Sequence, residues 1–439
     1  MKLPVYVRGC IEALEKAGFC AYAVGGCVRD QLLGLEPHDF DLCTQALPEQ
    51  IMQTFSDHDL VLAGLKHGTV GVIFPQDVVE ITTYRTEGGY TDSRHPGWVR
   101  FVEQVEEDLA RRDFTVNAMA WSPSRGLKDP FGGAEDLKQG ILRTVGNPTD
   151  RFREDALRIL RGARFASKYR LQPEEKTYEA MVALAPLMDE LARERVYSEL
   201  CKLLMTAEVD DLLRYEPIIT QVIPELKPTV AFDQKTRHHV HDLYTHIAHV
   251  TAAAPRELTL RWAALLHDVG KPETMTLDEQ GQAHYYGHAQ QSANMANEIL
   301  LRLKAPTALR EQVVVLIQQH MTFIEPQRNI LRRRLSRLGQ QTLLWLLQLQ
   351  KADMEGQGTK ETEEHFRQIH QIVGQLLEEE SCLTLKSLAV NGRDLMALGI
   401  PAGKELGKCL QALLDGVLDE RLPNEKEALL EAAKSFQSR

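Results

Sequence analysis

The chain has 439 residues, 43% of them hydrophobic and 26% charged, with a formal net charge of −11. This length exceeds what one hydrophobic core supports and predicts about two to four domains. No run approaches the roughly 18 apolar residues of a membrane-spanning helix, and the N-terminus lacks the apolar core of a secretion signal. Seven scattered cysteines without a CxxC pair are typical of a reducing cytoplasm. We therefore expect a cytoplasmic protein without a membrane partner.

In chain order, the first 145 residues mix helical and strand patterns. An amphipathic helix ending near Gly18 precedes a strand at Tyr22–Val24 and a helix at Val28–Leu33. A loop is predicted at Thr86–Gly97 and a helix over 104–120. Further strands are predicted at Leu60–Leu62, Thr69–Phe74 and Val78–Thr83. From Arg151 onward helical spacing dominates, so the fold class is α+β: a mixed head followed by an all-α region.

The stretch Gly25–Asp41, GGCVRDQLLGLEPHDFD, carries the first chemical signal. Glycines at Gly25 and Gly26 let backbone approach phosphate oxygens, and Arg29 adds a charged donor. If the intervening Phe40 lies in a strand, Asp39 and Asp41 project from the same face. Two such carboxylates predict a site for Mg²⁺ and a triphosphate, the requirements of phosphoryl transfer.

Two neighbours of this stretch remain ambiguous in the sequence. Glu80 lies in a predicted strand that would neighbour the aspartates, which makes it a candidate third carboxylate. It is equally well explained as a partner of Arg85. Asp30 likewise fits a simple surface pair with Arg29.

A second cluster, DLARRDFTVNAMA, covers Asp108–Ala120. Arg111 and Arg112 are adjacent and precede Asp113, a combination suited to the oxygens and ribose of a nucleotide. Taken alone, the cluster is also explained by a solvated helix start.

The segment EDALRILRGAR, residues 154–164, predicts one helix with a charged face. Glu154 and Asp155 lie four and three residues before Arg158, and Arg161 and Arg164 follow at intervals of three. Cytosine and adenine both present a donor amine beside an acceptor ring nitrogen, whereas uracil and guanine present the reverse. An Asp155/Arg158 pair would therefore accept C and A. A salt-bridged surface helix is the alternative.

The downstream half contains histidines and aspartates on separate predicted helices. Imidazole and carboxylate together form a metal-ligand set that could activate water for phosphate-ester hydrolysis. The candidate ligands are His246, His267, Asp268 and Asp353, with His288 and His320 as two further candidates. His238, His239, His241 and His249 are interpreted as bystanders.

These motifs resemble those of the class II tRNA nucleotidyltransferases, the CCA-adding enzymes. The resemblance runs from about Tyr22 to Lys202 and includes GGCVRD…DFD, GLKHGTVGV, VEITTYR, EGGYTDSRHP, RRDFTVNA, DPFGGAEDL and EDALRILRGARF. The later histidines and aspartates follow the ligand order of HD-superfamily phosphohydrolases. Together the two resemblances reach to about residue 360.

The resemblance implies a DNA polymerase beta-like head, then helical neck, body, HD and tail regions. The implied domains are a head at 1–145, a base-recognition and RNA-binding neck and body at 146–230, an HD domain at 231–375 and a tail at 376–439. The implied reaction adds C, C and A to the tRNA 3′ end from CTP and ATP. The implied roles are Mg²⁺ binding by Asp39 and Asp41, nucleotide binding by Gly25, Gly26, Arg29, Arg111, Arg112 and Asp113, and base recognition by Asp155 and Arg158, supported by Glu154, Arg161 and Arg164.

Several alternatives remain open at this stage. A poly(A) polymerase, or an enzyme that adds only CC or only A, belongs to the same family. From a different class, the chain could be an HD phosphohydrolase whose head only binds RNA. A second divalent metal, a transition metal or Mg²⁺, would occupy the HD site. The sequence leaves the oligomeric state undetermined.

Overall fold

The computed structural model describes residues 1–88, 97–235, 241–356, 363–379 and 384–435. Two units are formed, Met1–Pro224 and Glu225–Arg439. All described strands longer than two residues lie before residue 129, which confirms a mixed head followed by helices. The division after Pro224 lies near the predicted boundary at 230, and the finer four-domain division stays a prediction. Among the described helices, none is long and apolar enough to cross a membrane.

A seven-stranded sheet forms the head, in the order β3-β4-β5-β2-β1-β8-β9. Within this seven-stranded sheet, β2 and β5 form the one parallel pair, and Asp41 lies opposite Glu80. Buried side chains such as Leu42 and Ile81 anchor these central strands in the core. The strands of the head are β1 Ala21–Val24, β2 Asp41–Thr44, β3 Leu60–Val61, β4 Thr69–Ile73, β5 Val78–Thr83, β6 Arg85–Gly88, β7 Trp98–Phe101, β8 Ala120–Ser122 and β9 Gly126–Lys128.

Helices flank this sheet, and a separate antiparallel pair, β6 and β7, extends beside it. The predicted loop at Thr86–Gly97 lies largely at 89–96, outside the described residues. The head helices are α1 Val5–Lys16, α2 Gly26–Leu32, α3 Pro48–Thr54, α4 Val105–Ala110 and α5 Gly133–Gln139, with 3₁₀ turns at Leu65–His67 and Thr115–Asn117. Because β1 and β2 are antiparallel, the glycine turn that follows β1 lies beside Asp41, the first residue of β2.

The predicted strand around Phe40 is shorter than expected. Asp39 and Phe40 precede β2, which begins at Asp41. The neighbouring strand β1 ends at Val24 because Gly25 turns the backbone out of the sheet at φ +76°. The pairing with β1 therefore stops at Leu42, although β5 continues past Asp41 as far as Val78.

The predicted helix over 104–120 is also wrong beyond its first turns, since α4 ends at Ala110. The Asp113 carboxylate accepts the backbone N–H of Phe114 at 2.8 Å and the side-chain amide of Asn117 at 3.0 Å. Local side-chain bonds of this kind compete with helical hydrogen bonds. The segment after α4 therefore becomes an irregular loop with one 3₁₀ turn.

The predicted single helix at 154–164 is divided in two at Asp155. This residue has extended backbone angles, and its carboxylate accepts the N–H of Leu157 at 3.0 Å. The remaining elements of the first unit are α6 Pro148–Glu154, α7 Leu157–Tyr169, α8 Glu175–Ala183, α9 Arg193–Leu204, α10 Val209–Arg214, α11 Glu216–Val222 and the short strands β10 Ile141–Leu142 and β11 Gln172–Pro173, with a 3₁₀ segment at Ala185–Glu190.

The second unit is helical apart from one two-residue hairpin. Its helices are α12 Leu243–Ala253, α13 Leu258–Leu266, α14 Lys271–Thr274, α15 His288–Arg302, α16 Thr307–Gln319, α17 Arg328–Leu338, α18 Gln340–Gly356, α19 Glu363–Glu378, α20 Gly392–Ala397, α21 Lys404–Leu418 and α22 Lys426–Lys434. The hairpin pairs β12 Thr276–Leu277 with β13 Ala283–His284, and 3₁₀ segments occur at Pro224–Thr229 and Leu385–Ser387. The last three helices share a separate apolar core that includes Leu395, Leu413 and Leu429.

Candidate functional site

A cleft of about 610 Å³ lies in the first unit between the sheet edge and the helix α7. Its lining brings together residues from α2, β2, the loop after α4, the start of α7 and α9. The lining residues are Gly25, Gly26, Arg29, Asp39, Asp41, Arg111, Arg112, Asp113, Asn117, Asp155, Leu157, Arg158, Arg161, Phe165 and Arg195. Most of the predicted nucleotide-binding residues are thus gathered at one place.

The two predicted metal-binding carboxylates face this cleft. Withdrawal from water raises the pKa of Asp41; the carboxylates of Glu80 and Asp39 also raise it, and the Arg112 guanidinium lowers it. Such mutual repulsion shows that negative charge converges here, which is the condition under which a divalent cation binds. The charges of Asp39 and Asp41 therefore fit a divalent cation. Glu80 neighbours Asp41 in the sheet, but it is not among the residues that line the cleft.

The glycine turn closes against an arginine. A Cβ atom on Gly25 would lie 2.7 Å from Nη1 of Arg112. The Gly25 N–H donates to the Met119 carbonyl at 3.0 Å and is therefore not available to a phosphate. The turn allows a phosphate to approach the backbone closely, and the Arg112 guanidinium supplies a positive charge. The Arg112 side chain lines the cleft, is 23% exposed and lies 3.5 Å from Asp108, so part of its guanidinium remains accessible to a phosphate oxygen.

Arg29, predicted as a triphosphate ligand, is buried and already engaged. Its Nε donates to Asp30 at 2.8 Å, so the predicted pair forms, but it is sheltered and not on the surface, since the two side chains are only 6% and 16% exposed. Nη1 donates to the side-chain oxygen of Asn117, and Nη2 donates to the hydroxyl of Tyr169. The guanidinium also lies over the Tyr169 ring at 4.1 Å from its centroid. These contacts indicate that Arg29 connects elements of the site.

Arg111 is held by acidic neighbours. It contacts the buried carboxylate of Asp108 at 2.8 Å and Glu87 at 3.3 Å. Its carbonyl oxygen accepts from Nη2 of Arg158 at 3.1 Å. Burial opposes charging, but the Asp108 and Glu87 carboxylates raise the pKa of Arg111 above its ordinary value. Of the two adjacent arginines, Arg112 is therefore the less neutralised.

Asp113 is a buried acceptor for both sides of the cleft. Its carboxylate receives Nε and Nη2 of Arg161 at 2.8 and 2.6 Å and also bonds to Asn117. Burial would raise the pKa of Asp113, but the Arg161 guanidinium and the Asn117 amide hold it well below its usual range. The predicted ribose-binding aspartate is therefore ionised and fixed in place by its neighbours.

The predicted base-selecting pair lies in the cleft, although its members do not bond to each other in the described contacts. Asp155 pairs with Arg195 at 2.8 Å, and Arg158 pairs with Glu154 at 2.5 Å. Nη1 of Arg158 also donates to the Arg151 carbonyl at 3.2 Å. A guanidinium has five N–H groups and a carboxylate has several lone pairs, so both side chains keep capacity for a base edge.

Two predicted members of the site do not line the cleft in the described structure. Glu154 orients Arg158 from behind, and Arg164 pairs with Glu199 at 2.6 Å while lying over the Phe165 ring. In contrast, Arg195 on α9 was not predicted, because nothing in its local sequence distinguishes it from Arg193 in the same segment, ARERVY. A complementary charge for Asp155 was the only available signal.

The second unit brings all six predicted HD-site ligands into one buried cluster, with 8% exposure or less for each. Two ligand groups share Asp268: His246 and His267 with Asp268, and Asp268 with His288 and His320. Within each group the ligand atoms lie within 4.8 Å of one another. Asp353 completes the first group, with Oδ1 at 3.1 Å from Nε2 of His246.

The two oxygens of Asp268 face different histidines. Oδ2 lies 3.5 Å from Nε2 of His246 and 3.2 Å from Nε2 of His267. Oδ1 lies 3.4 Å from Nε2 of His288 and 3.7 Å from Nε2 of His320. Asp268 is therefore placed to bridge two cations.

The histidine rings are oriented for metal binding by backbone carbonyls. Nδ1 of His267, His288 and His320 lies 2.7 Å from the carbonyls of Ala264, Tyr285 and Ile317, respectively. Donation from Nδ1 leaves Nε2 as the acceptor or metal ligand. Nε2 of these three rings is buried without a hydrogen-bond partner in the described structure. This donor set fits divalent cations.

Of the predicted bystanders, His241 and His249 stack on each other with ring centroids 4.8 Å apart. His238 and His239 lie outside the described residues.

Three family models match the chain. They are described as the poly A polymerase head domain at residues 21–143, the probable RNA and SrmB-binding site of polymerase A at 170–229, and tRNA nucleotidyltransferase domain 2 (putative) at 274–433. The first covers the glycine turn, both aspartates and the Arg111–Asp113 cluster. The last begins after Asp268 and covers the later ligands of the metal cluster.

Two curated relatives match over nearly their whole lengths, and a third matches over about half of its length. The CCA-adding enzyme of Latilactobacillus sakei is 35% identical over 427 residues, which cover 97% of this chain and 96% of that protein. That of Lactiplantibacillus plantarum is 32% identical over 442 residues, covering 97% and 94%. That of Streptococcus suis is 48% identical over 195 residues, covering 44% and 48%.

Solved structures of CCA-adding enzymes also match this chain. The Bacillus stearothermophilus CCA-adding enzyme in complex with CTP matches with a TM-score of 0.74 and 29% identity, covering 100% of this chain and 98% of that one. The Thermotoga maritima enzyme matches with a TM-score of 0.59 and 20% identity, covering 98% and 95%, which supports the fold. These neighbours confirm the predicted polymerase beta-like head.

Proposed function

The chain belongs to the CCA-adding enzymes, a family of tRNA nucleotidyltransferases, and from this membership we propose that it adds C, C and A to the tRNA 3′ end. CTP and ATP are the substrates, diphosphate is released, and no nucleic-acid template is used. The observation that carries the proposal is that one cleft is lined by Asp39 and Asp41, the predicted metal ligands, and by Asp155 and Arg158, the predicted base-selecting pair. The related Bacillus stearothermophilus enzyme is described in complex with CTP.

The reaction joins the 3′ oxygen of tRNA to the α-phosphorus and breaks the bond to the leaving diphosphate. Asp39 and Asp41 would hold Mg²⁺, which would supply charge neutralisation at the triphosphate. Arg112 faces the same region beside the glycine turn and binds phosphate oxygens. Asp113 is already ionised and ordered, so it accepts a ribose hydroxyl without rearrangement.

Base choice follows from the polarity of the selecting pair. Asp155 accepts from the exocyclic amine of cytosine or adenine, and Arg158 donates to the adjacent ring nitrogen. Uracil and guanine offer an acceptor and a donor in those positions, so each meets a like partner. A wrong base leaves these polar groups of the site unpaired, and it is therefore disfavoured by roughly several kcal/mol.

Incubation of tRNA lacking its 3′ CCA with CTP alone, ATP alone or both distinguishes the family's activities. Sequential incorporation of two C and one A supports the proposal. Incorporation limited to C, limited to a single A, or extended to long A tracts would identify instead a CC-adding enzyme, an A-adding enzyme or a poly(A) polymerase. Omission of Mg²⁺ tests the assignment of the metal. The thiols of Cys10, Cys20, Cys27, Cys43 and Cys409 form no disulfide, which supports our proposal that the protein acts in the cytoplasm.

A second activity, metal-dependent hydrolysis of phosphate esters, is proposed for the histidine–aspartate cluster. The observation that favours it is the convergence of imidazole Nε2 atoms, unpartnered in the described structure at His267, His288 and His320, on the shared carboxylate of Asp268. Divalent cations held there would supply an activated water. Lys271, buried and 2.6 Å from Asp268, adds positive charge for a phosphate group.

A phosphatase assay with p-nitrophenyl phosphate and 2′,3′-cyclic nucleotides, run after chelation and with added Mn²⁺, Co²⁺, Ni²⁺ or Mg²⁺, tests this activity. Turnover that requires added metal and disappears in His267→Ala supports it. Turnover that survives His267→Ala would contradict it.

A further inference from the structure

The buried arginine of the glycine turn connects the two halves of the cleft. Arg29 lies on α2, the helix that follows Gly25, and its guanidinium contacts Tyr169 at the end of α7. The exposed fraction of Arg29 is only 5%, so these contacts are sheltered from water. Hydrogen bonds to a sheltered charge are stronger than those at the surface.

A second path joins the same two elements through the loop after α4. The Asn117 side chain accepts from Arg29 and donates to Asp113 at 3.0 Å. Asp113 in turn receives both Nε and Nη2 of Arg161 on α7. Arg29 is therefore bonded to α7 directly at Tyr169 and indirectly at Arg161.

One face of α7 carries the residues that matter for selection. Arg158, Arg161, Phe165 and Tyr169 follow at spacings of three, four and four residues, which is one helical face. The first three line the cleft, and Tyr169 lies at the far end of the same face. The contact at Tyr169 consequently fixes the orientation of the helix that presents Arg158.

We propose that Tyr169 and Asn117 are positioning residues that hold Arg29 and, through it, set the base-selecting face of α7 against the catalytic glycine turn. Arg29 then acts chiefly as a structural connector. Misplacement of Arg158 relative to Asp39 and Asp41 alters base choice and turnover, while Arg112 and the metal-binding carboxylates remain in place. This inference rests on the proposed nucleotidyl transfer.

The contribution of Tyr169 has two separable parts. Its hydroxyl accepts from Arg29, and its ring supports the guanidinium at 4.1 Å. Tyr169→Phe removes the hydroxyl, with its contacts to Arg29 and Asp30, but keeps the ring, and Tyr169→Leu removes both parts. Tyr178→Phe is the matched control, because Tyr178 is also half-buried and its hydroxyl donates to the Arg214 carbonyl at 2.7 Å, outside the cleft lining.

The experiment measures kcat and KM for CTP, ATP, UTP and GTP on tRNA lacking its CCA end, with thermal unfolding alongside. In Tyr169→Leu, we expect kcat for CTP to fall about tenfold with KM within about twofold, and the preference for CTP over UTP to fall about tenfold. Tyr169→Phe shows the same pattern with smaller changes. Tyr178→Phe leaves both quantities unchanged.

A double-mutant cycle isolates the contact. If Arg29 and Tyr169 act together, Arg29→Lys combined with Tyr169→Phe reduces selectivity no further than the more damaging single substitution. Additive losses in the cycle, or a uniform loss for all four nucleotides in Tyr169→Phe in proportion to its melting temperature, overturn the inference. Wild-type incorporation of C and A is measured first: its absence overturns the proposed function and this inference together. Wild-type incorporation with unchanged selectivity in both Tyr169 variants overturns this inference alone.

Discussion

The cleft of the first unit and the histidine–aspartate cluster of the second use ionisable side chains in opposite ways. In the cleft, arginines and carboxylates are largely paired with each other, as in Asp155 with Arg195 and Asp113 with Arg161. In the cluster, Nε2 atoms of three buried histidines have no hydrogen-bond partner among the described residues. Charges that are paired with each other keep the cleft in a fixed shape. Lone pairs that converge without a donor favour binding of a cation.

The strongest test of this contrast removes one carboxylate from each region in turn and measures both activities. Asp41→Asn should lower incorporation of C roughly a thousandfold, because several kcal/mol of metal-mediated charge stabilisation is lost. The same variant should retain phosphate-ester hydrolysis. Asp268→Asn should do the reverse, since it removes the carboxylate shared by both ligand groups. Loss of both activities in either variant would show that the two regions are not chemically independent.

Arginines on one helix provide the next test. Arg158→Lys should reduce the preference for CTP over UTP by about ten- to a hundredfold, because lysine cannot reproduce the planar donor geometry. Arg164→Lys is the control, since Arg164 lies on the same helix but pairs with Glu199. Primer-extension rates with each nucleotide provide the measurement. Equal changes in selectivity for the two variants would remove Arg158 from base selection.

The glycine turn allows a smaller and more local test. Gly25→Ala places a methyl group against Arg112 and strains a backbone at φ +76°. We expect incorporation to fall about tenfold and stability by about 1 kcal/mol. Gly140→Ala is matched in φ, at +69°, but meets no atom within 4 Å. Because Gly140 has ψ +33°, in the left-handed helical region, whereas Gly25 has ψ −123°, outside it, Gly140→Ala should lose less stability and keep its activity. Equal activities in the two variants would contradict a role for the Gly25–Arg112 contact.

The smallest effect concerns pH. The pKa of Asp113 is held well below its usual range, so its ionised form stabilises the fold above the unfolded-state pKa of about 3.9. That contribution is lost as pH falls through the lower folded-state pKa. Asp113→Asn should lower the melting temperature by a few degrees at pH 7, with the difference narrowing below about pH 4.

The control for this pH effect is Asp57→Asn, which removes an exposed carboxylate that pairs with His58. Its melting temperature should remain close to that of the wild type at pH 7. A difference for Asp113→Asn that stayed constant from pH 7 to pH 3 would show that the charge of Asp113 does not stabilise the fold.

Local signals predicted the elements well where hydrophobic periodicity was strong. The strand at Val78–Thr83 was predicted with its observed bounds, and the helical second half followed from its apolar spacing. The failures at residues 111–120 and at Asp155 share a cause. In both places an aspartate side chain bonds to nearby backbone and ends a helix, an effect that periodicity does not register.

The amino-acid sequence by itself determined the chemical inventory: two carboxylates beside a glycine turn, an arginine cluster, an aspartate and an arginine at 155 and 158, and six predicted metal ligands. Residue type and spacing are sufficient for this because they fix charge and donor geometry. Only the tertiary structure decided the partners. It paired Asp155 with Arg195, engaged Arg29 with Tyr169 and left Arg112 facing Gly25. Pairing depends on distances between segments far apart in the chain, and these distances are set by packing.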